Sequence, residues 1–181
     1  IELQEKLPIE IISVDSAMIY KDMNIGTDKP SKETLDNIKH HLINIRTPDE
    51  DYNVADFCNN VEAIIKDIHS RKKIPLLVGG SLMYFHSLYN GLSDLPSKNL
   101  EDRNIIDKLL DKYSLKQLHQ CLETIDEISY NRIESNDKQR IQRALEVYMS
   151  SGKSISKLFE NRASFLNSYN VMTIKMFSSD R

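Results

Sequence analysis

Two short apolar runs organise the first half of the chain. Residues 9–14 read IEIISV and residues 74–78 read IPLLV, and neither run alternates polar with apolar side chains cleanly. A run of this kind predicts a strand that is buried on both faces, as in a parallel sheet. We therefore expect these two strands to lie in a parallel sheet.

Helical spacing lies between and after these runs. Apolar side chains recur over residues 54–68 at the spacing of one helix face, with Asp51 or Asn53 as the N-cap. Further helices are expected to begin near Ser31 and to cover residues 82–89. Strand, helix, strand, glycine turn and helix are typical of a doubly wound α/β domain.

The second half of the chain has a different pattern. Strand signals disappear after Leu95 and Pro96. Helices are predicted over residues 99–112, 115–124, 126–133 and 138–150. An apolar run at residues 169–177 then predicts a return to strand. The predicted organisation is an α/β core over residues 1–95, a helical insertion with flanking helices over residues 96–165, and a core strand within residues 166–181.

Composition is that of a globular domain. Of 181 residues, 40% are hydrophobic and 28% charged, which fits one domain, or one domain with a small insertion. The formal net charge is −3, so any nucleic-acid site has to be a local basic patch. Cys58 and Cys121 form no CxxC pair, which indicates two buried thiols in a reducing cytosol. No apolar run approaches the length of a membrane span.

Asp15 and Ser16 directly follow the first predicted strand. Ligands of open α/β sheets bind beyond the carboxyl ends of the strands. A carboxylate in that position suits a general base or a Mg²⁺ ligand. It suits a simple turn or helix cap equally well, and position alone leaves both interpretations open.

The second predicted strand runs into Gly79, Gly80 and Ser81 at the start of a helix. Free backbone N–H groups and the positive end of the helix make this arrangement suitable for an anion. The alternative is a plain tight turn with Ser81 as the N-cap. A Gly-Gly pair alone favours the turn.

A short basic segment lies on the predicted helix over residues 138–150. Arg140 and Arg143 are three residues apart, so both can lie on one face and hold phosphates or unstacked bases. The alternative is a solvated helix face on which Arg143 pairs with Glu146. Periodicity alone favours this second interpretation.

Two adjacent histidines, His40 and His41, lie in a segment that is expected to be extended. Adjacent side chains of an extended segment point to opposite sides, so the two are poor joint ligands of a metal. Packing or hydrogen bonding is expected of them instead. The 181 residues contain no HExxH motif and no GxxxxGK[ST] phosphate loop.

In this order, the segments resemble one enzyme family. The segments that carry the resemblance are IISVDSAMIYKDMNIGTDKPS (11–31), HHLINI (40–45), YNVADF (52–57), IPLLVGGSLMY (74–84), the ND-QR-RALEVY pattern within 136–148, and SGK (151–153). Over essentially its whole length the chain resembles the tRNA dimethylallyltransferases of bacteria and organelles.

The resemblance implies a fold and an activity. The fold is a P-loop kinase-like parallel sheet flanked by helices, with a helical insertion. The activity is transfer of a dimethylallyl group from dimethylallyl diphosphate to N6 of the adenine 3′-adjacent to the anticodon, with Mg²⁺ required. The expected partners are the anticodon stem-loop of tRNA and the diphosphate donor. The protein is expected to be a cytoplasmic monomer without membrane association.

The same resemblance assigns roles to residues. It makes Asp15 the general base and Ser81 a second catalytic residue, and it places the diphosphate at Gly79, Gly80 and Ser81. The tRNA contacts that it implies are Asp15, Ser16, Ala17, Met18, Ser81, Arg103, Gln139, Arg140, Ile141, Gln142 and Arg143. It assigns no certain protein ligand to a metal. The family usually has Thr at the position of Ser81, and the hydroxyl is kept here.

The resemblance also implies segments outside these 181 residues. In the family, a phosphate loop precedes the helix that contains residues 1–7, and further helices follow Arg181. We therefore expect the 181 residues alone to be inactive. Three alternatives stay open: an adenylate isopentenyltransferase acting on a free nucleotide, a P-loop small-molecule kinase, and a non-catalytic RNA-binding protein.

Overall fold

The computed structural model describes residues 2–93, 95–97, 99–160 and 164–176. Contacts divide the chain into two compact units. Residues 1–92 and 163–181 form the first, called the α/β unit here, and residues 93–162 form the second, called the helical unit.

The α/β unit is built on a parallel sheet. Its strands are β1 (Ile9–Ser13), β2 (His40–His41) and β3 (Ile74–Val78), and its helices are α1 (Glu2–Lys6), α2 (Lys32–Asn37), α3 (Val54–Ser70) and α4 (Leu82–Asn90), with a 3₁₀ turn at Phe165–Ser168. The strand order is β2-β1-β3, with β1 parallel to both neighbours. The predicted parallel α/β core is confirmed, and all three strands end at the same edge of the sheet.

Side chains of β1, α3 and α4 form the core of this unit. Ile12 and Val14 are fully buried, and they join a cluster to which α3 contributes Phe57 and Val61. Tyr84 of α4 stacks on Phe57 with ring centroids 4.1 Å apart. This burial follows the predicted apolar spacing of α3. The N-cap is Asn53 rather than Asp51, in a reciprocal capping box with Asp56.

A buried carboxylate lies in the middle of β1. Glu10 is 2% exposed, and hydrogen bonds join it to Arg71 and to Lys73 Nζ, at 2.9 Å. His41 Nε2 lies 2.8 Å from Glu10 Oε2, and His40 Nδ1 lies 2.8 Å from the carbonyl oxygen of Ile38. The expected hydrogen-bonding role of the two histidines is confirmed.

The charge of Glu10 is stabilised by these partners. Hydrogen bonds from Arg71 hold the pKa of Glu10 far below its usual range, against the opposing effect of burial. Lys73 and His41 lower this pKa further. A carboxylate so deep in the sheet is tolerated because several cationic groups surround it.

The described part of the helical unit consists of helices and their connections. The helices are α5 (Leu100–Lys112), α6 (Leu115–Ile125), α7 (Glu127–Arg132), α8 (Lys138–Ser151) and α9 (Ile155–Glu160). Apolar side chains of α6 and α8, including Leu122, Ile141 and Val147, form its core. The buried Asp126 accepts hydrogen bonds from Ser129 and Ser156, which ties the start of α7 to α9. The four predicted helices of this region are confirmed to within two residues.

The predicted strand at residues 169–177 is wrong for the part that the structure describes. Residues 170–176 have no regular secondary structure, and Met172 and Ile174 are exposed. Phe177 lies outside the described residues. An apolar extended segment becomes a strand only when its backbone pairs, and no described strand pairs with this one.

Two expectations of burial also need correction. Ile74 and Val78 of β3 are exposed, and among the described residues only one edge of this strand is paired. Cys121 is exposed as well, and its Sγ donates to the carbonyl of Gln117. Cys58 is buried as expected, and burial raises the pKa of its thiol to about 11.

Candidate active site

The carboxyl ends of β1 and β3 are joined by hydrogen bonds. The N–H of Val14 donates to the carbonyl of Val78 at 2.7 Å, and the N–H of Ser81 donates to the carbonyl of Val14 at 3.2 Å. The N–H of Ser16 donates to Ser81 Oγ at 3.0 Å. The structure therefore brings together the two segments that the sequence singled out separately.

The Asp15 carboxylate holds a tight turn. Its Oδ1 accepts from the N–H groups of Ala17, at 2.8 Å, and Met18, at 3.0 Å. Short polar side chains commonly stabilise turns in this way. Among the described residues no hydrogen bond engages Oδ2. One oxygen of Asp15 therefore holds the turn and the other is available, and the role of Asp15 as a general base or Mg²⁺ ligand stays a prediction.

The phenol of Tyr84 does not suit proton transfer. Burial raises the pKa of Tyr84 to about 12, and neighbouring tyrosines and carboxylates, Asp15 among them, add to that effect. A group with so high a pKa stays protonated at neutral pH. Tyr84 is therefore not a candidate general base.

Ser81 precedes α4, yet its hydroxyl does not cap the helix by a hydrogen bond. The hydroxyl instead accepts the N–H of Ser16, and it lies 3.5 Å from Ser16 Oγ. The simple interpretation of Ser81 as an N-cap is wrong in this respect. The N–H of Tyr84 already donates to the carbonyl of Ser81, so among the described residues the N–H groups of Leu82 and Met83 are the ones left for another partner at the start of α4.

The two glycines before Ser81 have different roles. A Cβ atom on Gly79 would lie 2.1 Å from the carbonyl oxygen of Val14, whereas a Cβ atom on Gly80 would meet nothing within 4 Å. Gly79 therefore permits the close approach of the two strand ends, and that approach sets the spacing between Asp15 and Ser81.

Gly79→Ala is expected to destabilise the protein by about 1–3 kcal/mol or more, because the new methyl group clashes with backbone that cannot move freely. Gly80→Ala adds the same group in open space and is expected to cost nothing measurable. Urea denaturation of both variants measures the difference. Equal urea midpoints for Gly79→Ala and Gly80→Ala would contradict the close packing of Gly79 against the backbone of Val14.

The segment after the Asp15 turn is held by the loop that follows β2. The N–H of Asn44 donates to the carbonyl of Met18 at 3.2 Å, and the carbonyl of Ile19 accepts from the next two N–H groups. Lys29 Nζ donates to the carbonyl of Tyr20 at 2.7 Å and to Asn44 Oδ1 at 2.9 Å. Sequence reasoning assigned no role to Lys29 or Asn44. Their only signal was their place inside matching segments.

Two predicted tRNA-binding arginines meet at a buried carboxylate of the helical unit. Glu146 of α8 is 1% exposed, and its Oε1 lies 3.0 Å from Arg103 Nε of α5. Its Oε2 lies 3.5 Å from Arg143 Nη1, and Arg143 Nη2 donates to the carbonyl of Pro96 at 2.8 Å. The pairing of Arg143 with Glu146, which periodicity favoured, is present.

The other residues of the basic segment on α8 divide by burial. Ile141 lies in the core, and Gln142 is buried with its amide 3.3 Å from Asp107 Oδ1. Their side chains therefore face the interior of the unit. Gln139 is exposed, and Arg140 is exposed over 75% of its side chain beside Asp137. Of the predicted contacts on α8, the accessible ones are Gln139, Arg140 and part of Arg143.

In the ranges that the structure describes, no three or more His, Cys, Asp or Glu side chains are grouped so that they could hold a metal ion. No helix in those ranges is sufficiently long and apolar to span a bilayer.

The sequence is similar to a known protein family and to individual proteins of known sequence. Residues 18–181 match the model of the IPP transferase family. A tRNA dimethylallyltransferase of Wigglesworthia glossinidia brevipalpis is 44% identical over 179 residues, which are 99% of this chain and 55% of that protein. A tRNA dimethylallyltransferase of Methylobacillus flagellatus is 41% identical over 181 residues, which are 100% of this chain and 58% of that protein.

A solved structure shows the same fold. It comes from crystallographic snapshots of a eukaryotic dimethylallyltransferase acting on tRNA, is 30% identical, and covers 90% of this chain and 40% of that chain with a TM-score of 0.73. This likeness agrees with the predicted P-loop-like sheet core. The chain spans little more than half the length of the curated relatives that it matches. Matched over nearly all of its residues, the chain belongs to the IPP transferase family.

Proposed function

We propose that the protein to which this chain belongs transfers a dimethylallyl group from dimethylallyl diphosphate to N6 of the adenine 3′-adjacent to the anticodon in tRNA. The observation that carries the proposal is the hydrogen bond between Ser16 N–H and Ser81 Oγ. It places a carboxylate with an available oxygen beside a serine hydroxyl at a helix N-terminus. One group suits a proton acceptor and the other suits a diphosphate.

The donor side is assigned to the end of β3. When the bond between C1 of the dimethylallyl group and the diphosphate oxygen breaks, the electron pair leaves with the diphosphate. The first N–H groups of α4 and the Ser81 hydroxyl are placed to stabilise that charge as it develops. Ser81 Oγ accepts from Ser16 N–H and donates a long hydrogen bond, at 3.5 Å, to Ser16 Oγ, and a diphosphate oxygen would replace Ser16 Oγ as the acceptor of that hydrogen.

The acceptor side is assigned to Asp15. The exocyclic amine of adenine is a weak nucleophile, since its lone pair is delocalised into the ring. As the bond between N6 and C1 forms, Asp15 Oδ2 accepts the N6 proton. Oδ1 meanwhile keeps the turn through Ala17 and Met18, so the carboxylate does not need to reorient. The target adenine is expected to leave its stack to reach this turn.

Mg²⁺ fits the chemistry of this donor set. Mg²⁺ is commonly held by one or two side-chain oxygens, from carboxylates or from Ser or Thr hydroxyls, together with the phosphates of a substrate, rather than by a dedicated protein cage. The hydroxyls of Ser16 and Ser81, together with the diphosphate, provide such oxygens. Mg²⁺ bound there would neutralise charge on the leaving diphosphate.

The helical unit is assigned to the tRNA. Glu146 holds Arg103 and Arg143 together, and two guanidinium groups on one carboxylate leave a net positive charge at that point. Arg140 lies on the same helix as Arg143 and is exposed, with its Nη1 2.8 Å from Asp137 Oδ2. Arginine guanidinium groups bind phosphates and stack on unpaired bases, both of which an anticodon loop presents.

Arg140→Ala in the full-length protein is expected to weaken tRNA binding and to lower the slope of log Kd against log salt by about one. Lys116→Ala removes an equal charge from an exposed position on α6, and it serves as the matched control. Binding to an anticodon stem-loop across a salt series gives both slopes. If the slope for Arg140→Ala equals that of the wild type, Arg140 lies on a solvated helix face and does not contribute to tRNA binding.

The function itself is tested with the full-length natural protein, labelled dimethylallyl diphosphate and Mg²⁺. Label is expected in an anticodon stem-loop and not in AMP. Label in AMP alone would identify an adenylate isopentenyltransferase. ATP turnover with a small acceptor, without prenyl transfer, would identify a kinase. RNA binding without either reaction would leave a non-catalytic protein.

A further inference from the structure

A polar hollow lies beside the Asp15 turn, on the side of β2. It has a volume of about 300 Å³ and is lined by Lys21, Asp22, Asn24 and Asn44. That volume is at the lower end of the range for small-molecule sites. Neither the resemblance nor the proposed chemistry uses any of these four residues.

The hollow is coupled directly to the proposed acceptor site. Asn44 follows β2, and its N–H donates to the carbonyl of Met18, whose own N–H donates to Asp15 Oδ1. The sheet order is β2-β1-β3. Along one edge of the sheet the hollow, Asp15 and Ser81 therefore follow one another in that order.

The orientation of the Asn44 amide is fixed by Lys29. Lys29 Nζ, which can only donate, lies 2.9 Å from Asn44 Oδ1. The amide oxygen is thereby occupied, and the amide NH₂ group is left as the donor. In the described part of the chain no hydrogen bond engages that NH₂ group, so it is available to an acceptor on a bound molecule.

The lining favours a neutral polar ligand over an ion. Lys21 and Asp22 carry opposite charges, so the hollow has no net charge from them, and the two asparagines offer amides. An amide NH₂ group can donate to an acceptor on the edge of a nucleobase. Asp22 and Asn44 both have positive φ, at 63° and 56°, and such uncommon backbone is enriched at functional sites.

We propose that this hollow binds the base of a nucleotide next to the target adenine, with the Asn44 amide donating to an acceptor on that base. The inference rests on the proposed function, because it takes a single-stranded RNA as the substrate. A base held here and an adenine at Asp15 would lie side by side along the edge of the sheet. The hollow would then contribute to the choice of substrate sequence.

Asn44→Asp is the sharpest test. Aspartate has nearly the same shape, tolerates positive φ and keeps the contact with Lys29, but it lacks the donor. Full-length wild type and variant are compared on anticodon stem-loops that carry single substitutions at each neighbour of the target adenine. At one neighbouring position the variant is expected to lose about tenfold of the discrimination in kcat/KM that the wild type shows.

Asn37→Asp, at an exposed position of α2, adds the same negative charge and controls for a general effect on RNA binding. It is expected to keep the discrimination of the wild type. Discrimination by Asn44→Asp that equals the wild type at every neighbour overturns the inference while leaving the proposed function intact. Absence of transfer by the wild type to any stem-loop overturns the proposed function, and this inference with it.

Discussion

Asp15→Asn is expected to lower kcat for prenyl transfer by roughly 10²–10⁴-fold, with little change in the affinity for tRNA. Asparagine retains an oxygen that can accept from Ala17 and Met18, so the turn is preserved. What it removes is the carboxylate oxygen that takes the N6 proton. Single-turnover transfer and equilibrium binding to the same stem-loop measure the two effects separately.

Asp15→Ala provides the comparison for this variant. Alanine removes both the base and the acceptor of the two turn hydrogen bonds, so tRNA affinity is expected to fall together with kcat. If Asp15→Asn keeps most of its kcat while Asp15→Ala loses activity, the carboxylate serves only the turn. The general base would then have to be sought elsewhere.

Glu10→Gln is expected to destabilise the protein by about 3 kcal/mol at neutral pH, because it leaves several cationic groups around a buried neutral amide. This is the low end of the range for a broken buried ion pair, since Arg71 and Lys73 are 35% and 43% exposed. Asp67→Asn removes another partner of Arg71, but an exposed one, and is expected to change stability little.

The effect of Glu10 has a defined pH dependence. The pKa of Glu10 in the folded protein is lowered from an ordinary value of 4.5. The contribution of the ionised Glu10 to the free energy of unfolding is therefore fully present above that pH. As the pH falls below about 4.5, the unfolded state binds the proton first and the contribution is progressively lost. The difference in unfolding free energy between wild type and Glu10→Gln should therefore shrink in acid. A constant difference across that range would contradict the ionised state of Glu10.

Local pattern was sufficient to predict the elements whose burial depends on their own spacing. Residues 54–68 repeat apolar side chains on one face, and α3 buries that face. Pairing between distant strands is not encoded in a local pattern. The sequence therefore predicted buried strands at residues 170–176 and in β3. In the structure, Met172, Ile174 and parts of β3 are exposed, because burial also depends on the distant segments that pack beside them.

The candidate site also has a part that the sequence predicted and a part that only the structure shows. Asp15 and Ser81 could be selected because strand ends in α/β sheets bind ligands. The hydrogen bond from Ser16 to Ser81 depends on the register that places Ser13 beside Val78, and no spacing in the sequence reveals that register.

The helical unit gives a second example. Periodicity identified the pairing of Arg143 with Glu146 on one helix, because both residues lie on α8. The contact of Arg103 with the same carboxylate joins two helices and required the structure. The resemblance implies a tRNA contact at Ile141, but the side chain of Ile141 lies in the interior of the helical unit.

The most direct test of the proposed chemistry uses two anticodon stem-loops that differ in one exocyclic group. One carries adenine 3′-adjacent to the anticodon, and the other carries purine, which lacks the N6 amine. The full-length protein with labelled dimethylallyl diphosphate and Mg²⁺ is expected to label the first and not the second. Equal labelling of both, or labelling of neither, would contradict transfer to N6 at the Asp15 site.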